Sequence, residues 1–83
     1  MFKVKLIVKL KEGVLDPVGN AIASACKTLG FDNVKEVHTG KYIEFLIDAE
    51  NEDKVKEEIE KLVQNFLVNP IIENYSILEI KKV

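Results

Sequence analysis

From Phe2 to Leu10 the chain alternates with period two. Phe2, Val4, Leu6, Val8 and Leu10 fall on one side, and Lys3, Lys5, Ile7 and Lys9 on the other. That pattern predicts a half-buried strand. After a connection over Lys11–Leu15, Asp16-Pro17 opens a helix, because Asp caps free N–H groups and Pro is favoured as the first helical residue. Val18, Ile22, Ala25, Cys26 and Leu29 form its apolar stripe, and Gly30 closes it. Ala21, Ala23, Ser24 and Ala25 keep it slim enough to lie close on a sheet. Val34–Thr39 reads as a second strand with a bulge or bend, since Val34 and Val37 differ in parity. Gly40-Lys41 leads into a third strand, Tyr42–Asp48, with Ile43, Phe45 and Ile47 on one face. Glu52–Leu67 is an amphipathic helix with the stripe Val55, Ile59, Leu62, Val63, Phe66 and Leu67, and acids in its first turn where the dipole favours them. Asn69-Pro70 stops it. Ile71–Val83 supplies a last strand, over Ile72–Ile80.

The order β-α-β-β-α-β, with right-handed crossovers, predicts an α+β, ferredoxin-like sandwich: a four-stranded antiparallel sheet with both helices on one face. Strands one and three would be central, neighbouring and parallel. Eighty-three residues hold one domain, 1–83, without repeats or long linkers. The uncovered sheet face would carry Lys3, Lys5, Ile7, Lys9, Tyr42, Glu44, Leu46 and Asp48, with lysines and glutamates of adjacent strands able to pair. The last strand would add either Tyr75 and Ile77 or Leu78 and Ile80. Ile7, Tyr42 and Leu46 there are hard to reconcile with a monomer and point to self-association.

Composition narrows the chemistry. Net charge is −2 and the pI is about 5.4, which leaves no electrostatic footprint for nucleic acid or an anionic membrane. All 12 basic residues are lysine, so the bidentate fork that grips phosphates and carboxylates is missing. One cysteine and one histidine fall short of a structural zinc site or an internal disulfide. Lysines interrupt the N-terminal apolar positions, and no run approaches the ~18 residues of a membrane span. A cytoplasmic domain is expected.

No candidate site assembles into catalytic machinery. His38 has Glu36 as a strand-parity neighbour, but one such pair also fits a surface or interface histidine. Cys26 lies on the apolar stripe in the C-terminal half of its helix, a core position rather than a reactive thiol. Asp48, Glu50, Glu52 and Asp53 lack the glycine and terminal Glu of a calcium loop and read as a solvated helix start. Lys11–Gly19 resembles a phosphate cradle only superficially, with no Gly-Lys-Ser/Thr and with Asp16 repelling anions. An RNA-binding sheet would need more stacking aromatics than Tyr42. A metal chaperone would need paired cysteines before the first helix, and an acyl-phosphate hydrolase an arginine cradle.

Three segments together resemble one family: Lys11–Gly19 (KEGVLDPVG), Gly40-Lys41 with the strand Tyr42–Ile47, and Asn69-Pro70-Ile71-Ile72-Glu73-Asn74-Tyr75. With the opening Phe2-Lys3-Val4-Lys5, the chain is similar end to end to PurS, the small accessory subunits of phosphoribosylformylglycinamidine (FGAM) synthase. Many members carry an arginine shortly before the Gly-Lys pair, where this chain has His38. The resemblance implies the fourth step of de novo purine synthesis. A glutaminase subunit releases ammonia, and a large synthetase subunit uses ATP and Mg to convert formylglycinamide ribonucleotide (FGAR) to the amidine. The small subunit, itself non-catalytic and binding no cofactor, bridges the other two as a homodimer or tetramer and assists ammonia transfer. Candidate docking residues, at exposed turns and on the open sheet face, are Asp16, Pro17, Gly19, His38, Gly40, Lys41, Tyr42, Leu46, Asn69, Pro70, Glu73 and Tyr75. An ACT-like, small-molecule-binding regulatory module is the alternative reading, and a small enzyme using His38 with Glu36 a further one.

Overall fold

The computed structural model describes all residues from Met1 to Val83. The order is β1 (Phe2–Leu10), α1 (Pro17–Thr28), β2 (Gly40–Ile47), α2 (Glu52–Leu62) and β3 (Glu73–Lys82). Three strands, not four, make the sheet, in the order β2-β1-β3, with β1 antiparallel to both neighbours. The expected strand over 34–39 does not form. Its two valines never alternate, and the backbone of Val37 and Thr39 is engaged with the start of α1 instead. Without that strand the chain enters β2 beside Lys9, at the end where β1 finished, and must run back along it. Hence Gly40–Ile47 is an antiparallel edge strand rather than the central parallel partner expected. The ferredoxin-like detail is lost, and a β2-α2-β3 unit split by β1 remains.

The period-two reading of β1 holds. Phe2, Val4, Leu6 and Val8 are buried against Val55, Ile59, Val63 and Val68, with Ile43, Phe45, Ile47, Ala49, Leu67 and Ile80 packed around them. Helix α2 is capped by Asn51, whose Oδ1 accepts from the Lys54 amide, and Glu52 and Asp53 sit in its first turn. Its stripe continues through a wider, π-type turn over Val63–Leu67, where the Val68 amide donates to the Val63 carbonyl. That turn leaves Phe66 exposed, although helical spacing puts it on the stripe.

A bulge in β3 settles which of its side chains face α2. Glu79 lies opposite Lys5 and Ile77 opposite Leu6, so Leu78 is the extra residue. Ile77 and Tyr75 therefore share a face with Ile80, the side of the buried Leu6, Val8 and Val4. Neither pair expected on the open face lies there intact.

Helix α1 departs furthest from expectation. Its ends are as read: Asp16 caps it, Pro17 is its first residue, and Gly30 follows it with φ +90°. It does not cover the sheet, however. Only Gly19 is buried; Ala23 and Cys26 are half-buried, and Val18, Ile22, Ala25 and Leu29 are exposed. The helix and the segment returning from it form an arm, and the chain reaches 52 Å in its longest dimension.

Candidate functional site

The three segments that carry the family resemblance converge at one end of β1. Lys9 lies between Gly40 and Asn74, Val8 between Lys41 and Tyr75, and Leu10 opposite Glu73. The Lys11 amide donates to the Ile72 carbonyl at 2.7 Å, tying the first segment to the third. A clasp ties the first to the second. The buried Asp16 carboxylate accepts from the Gly19 amide (2.8 Å), the Thr39 amide (2.7 Å) and the Thr39 hydroxyl (2.9 Å). The Gly19 and Thr39 amides, in that order, hold this carboxyl below its ordinary range.

Two glycines permit the close approaches. A Cβ on Gly19 would collide with the Val37 carbonyl, and one on Gly40 would lie 2.6 Å from the Val8 carbonyl oxygen. Both positions demand glycine because another backbone passes there.

The Asn69–Glu73 turn is closed by its own side chains. Glu73 accepts from the Asn69 amide at 2.8 Å, and Asn69 Oδ1 accepts from the Ile71 amide at 3.1 Å. Pro70 needs no donor partner and fits the second position of this turn. The Glu73 carboxyl is also lowered, first by the Asn69 amide and then by Lys41, whose Nζ lies 3.4 Å away. That ion pair links the start of β2 to the start of β3 across Leu10.

Beside the clasp lies an open cleft of about 440 Å³, lined by Lys9–Gly13, Val14, Asp16, Glu36, His38 and Thr39. His38 Nε2 is 3.4 Å from Glu36, its one hydrogen-bond partner, and both side chains are exposed to solvent. Nowhere do three His, Cys, Asp or Glu side chains gather as a set that could hold a metal ion.

Asp16, Gly19, Gly40, Lys41, Asn69, Pro70, Glu73 and Tyr75 thus meet at one end, with Pro17 and His38 at its edge. Tyr42 and Leu46 lie elsewhere, on the opposite sheet face, opposite Ile7 and Lys3. There Lys3 pairs with Glu44 at 2.6 Å and Lys5 with Glu79 at 3.5 Å, the cross-strand pairing expected of that face. Sequence reasoning missed Thr39, which completes the clasp. A Thr just before Gly40 carries no motif, and its partner is 23 positions away.

A family model described as PurS, phosphoribosylformylglycinamidine (FGAM) synthase, matches residues 3–81. The chain belongs to the PurS family. It is 51% identical over 77 residues to the FGAM synthase subunit PurS of Methanocaldococcus jannaschii, covering 93% of each chain. It is 44% identical over 78 residues to that of Bacillus subtilis, covering 90% of this chain and 88% of the other. The crystal structure of M. jannaschii PurS superposes with TM-score 0.88 over 100% of this chain and 99% of that one, at 48% identity. A chain of the Thermotoga maritima PurLQS structure superposes with TM-score 0.84 over 92% of this chain and 93% of its own length, at 33% identity. The extended arm therefore falls within the superposed length of a solved PurS structure. No helix of the chain is long and apolar enough to cross a membrane.

Proposed function

We propose that this chain is the small, non-catalytic subunit of a multi-chain FGAM synthase, bridging the PurL synthetase and the PurQ glutaminase in the cytoplasm. The observation that carries the reading is PurS-family membership over nearly the whole chain, together with a 33%-identical relative in PurLQS. The site agrees with it. The Asp16 carboxylate and the Lys41–Glu73 pair hold three segments in one fixed arrangement, the preorganised surface that docking uses. ATP and Mg act in the large subunit, where the amidine is formed from FGAR.

A rigid docking end raises the local concentration of one subunit at the other and converts an ammonia encounter in solution into a local one. The convergent end around Asp16, Lys41 and Glu73 is the surface for those partners. The opposite sheet face, with Tyr42 and Leu46 exposed, supports self-association as a dimer or tetramer. The regulatory-module alternative finds no support, since the relatives and solved structures matched are PurS subunits.

The test is amidine formation by the synthetase and glutaminase with and without this chain, driven by glutamine or by ammonia. The chain should restore the glutamine-dependent rate and leave the ammonia-dependent rate unchanged. If neither rate responds and the three proteins do not co-elute, the reading fails.

A further inference from the structure

Pro17 follows Asp16, and the chain's other proline follows Asn69, so 16–17 is the one Asp-Pro bond in the protein. Such a bond is the most acid-labile of peptide links. A carboxyl oxygen of the aspartic acid bonds to its own main-chain carbonyl carbon, and the bond from that carbon to the proline nitrogen breaks. The carboxyl proton passes to the nitrogen, which leaves as an amine. Water then opens the cyclic anhydride to two carboxyl groups. Proline's nitrogen is the better leaving group, so the bonds after Asp32, Asp48 and Asp53 break more slowly.

Cleavage needs a carboxyl oxygen free to turn back, a proton for the nitrogen, and water. The clasp withholds all three. Oδ1 accepts from the Gly19 amide and the Thr39 hydroxyl, and Oδ2 from the Thr39 amide and the same hydroxyl, so neither oxygen is free. The carbonyl that would be attacked is itself fixed, accepting from the Asn20 amide at 2.9 Å as the first bond of α1. The Gly19 and Thr39 amides, and more weakly His38, favour the anion, which carries no proton to give. Lys9, Lys11, Glu12, Glu36 and His38 line the adjoining cleft, and the carboxylate's hydrogen bonds go to none of them. Asp16 is only 8% exposed, which keeps water from the bond.

We infer that Asp16-Pro17 is a latent self-cleavage site gated by the clasp: the chain severs itself between residues 16 and 17 in molecules whose Asp16–Thr39 contacts have opened. The cut parts α1 from its cap and detaches β1 from everything after it. That strand lies between β2 and β3 and supplies half of the buried core, so residues 1–16 would be held by strand pairing and packing alone. Opening of the arm is thereby recorded as a broken chain. The inference is independent of the subunit reading.

The experiment follows the full chain at pH 4 by intact mass, in buffer and in urea that unfolds it, counting fragments 1–16 and 17–83. At this pH an aspartic carboxyl of ordinary pKa, 3.8, is part protonated, while the clasped one stays ionised. The rate follows the fraction of open molecules, so the unfolded chain should cleave at least about tenfold faster than the folded one. Thr39→Val, its fold checked by circular dichroism, should cleave several-fold faster than the parent in buffer and at the parent's rate in urea. Thr39→Ser, which keeps the hydroxyl, should return to the parent's rate. Ile59→Val weakens the core under α2 and leaves the clasp intact, so it should match the parent in buffer. Pro17→Ala should give little fragment in either condition. Equal rates for folded and unfolded parent, an unchanged rate for Thr39→Val, or Ile59→Val cleaving as fast as Thr39→Val would each overturn gating by the clasp. Cleavage of Pro17→Ala in urea at the parent's rate would overturn the site itself.

Discussion

Asp16 and Thr39 stand 23 positions apart and are joined by the Thr39 amide and hydroxyl, both donating to one carboxylate. The same carboxylate caps α1 through Gly19, so a single side chain starts the helix and closes the loop that the helix belongs to. Removing it leaves two amides without their acceptor at a buried point. Asp16→Ala should lower Tm by roughly 4–8 °C, the range for a lost cap in a domain this size. Thr39→Val, which keeps the amide, should cost less. The double variant should fall short of the sum, because both remove the same contact. Hydrogen exchange in Asp16→Ala should rise across 17–39 and stay unchanged in β1; a uniform rise would show that the clasp is not local to the arm.

Gly19 gives a test in which two effects oppose. Inside a helix Ala is favoured over Gly by about 1 kcal/mol. Here, however, the added methyl would meet the Val37 carbonyl, a backbone atom that cannot rotate away. Gly19→Ala should therefore destabilise the chain despite its better propensity. A Tm equal to or above the parent's would mean that the arm does not hold Val37 against α1 in solution.

How much of this was legible follows from which forces are local. The alternation in Phe2–Leu10, the Asp16-Pro17 start and the Asn69-Pro70 stop each express one residue's own conformational preference, and all three stand in the structure. The strand over 34–39 was misplaced because two isolated valines carry no pairing information, and the nearest backbone available to them was that of α1. The Leu78 bulge was invisible for a related reason: register is decided by the partner strand, here between Lys5 and Leu6. The convergence of the candidate docking residues was readable as a set of motifs, but not as a place. It depends on β2 running antiparallel to β1, which sets Gly40 beside Lys9, and that direction followed from the loss of the strand expected over 34–39.

Three carboxylates fix the acid behaviour. Asp16, Glu73 and Glu44 are each held below their ordinary values of 3.8, 4.5 and 4.5: Asp16 and Glu73 chiefly by backbone amides, Glu44 by Lys3 and then Tyr42. A group lowered on folding contributes stability that is complete above its unfolded pKa and lost as pH falls through the folded one. Stability should thus be flat between about pH 5 and 7 and decline as the pH drops below 4. Tm measured from pH 7 to pH 2.5 checks this, with Asp16→Asn as comparison. The variant should start lower and fall less steeply; parallel curves would remove Asp16 from the account.

The Lys41–Glu73 pair separates docking from folding. Lys41 is well exposed but the Glu73 side chain is only 11% exposed, so Lys41→Glu, which replaces attraction with repulsion between two carboxylates, should lower Tm by about 4–8 °C per kcal/mol lost while leaving the chain folded. The same change reverses a charge at the centre of the convergent end, beside the Asn69–Glu73 turn. In the reconstituted synthase the concentration of this subunit giving half-maximal glutamine-dependent rate should rise roughly tenfold, the effect of losing one good interface contact. The ammonia-dependent rate, which needs no bridge to the glutaminase, should not change. Glu73→Gln sharpens the comparison. It keeps an oxygen for the Asn69 amide but drops the charge, so it should follow Lys41→Glu only if the charge itself meets the partner. Should both variants titrate like the parent, the partners dock elsewhere, and the open face around Tyr42 and Leu46 becomes the surface to alter next.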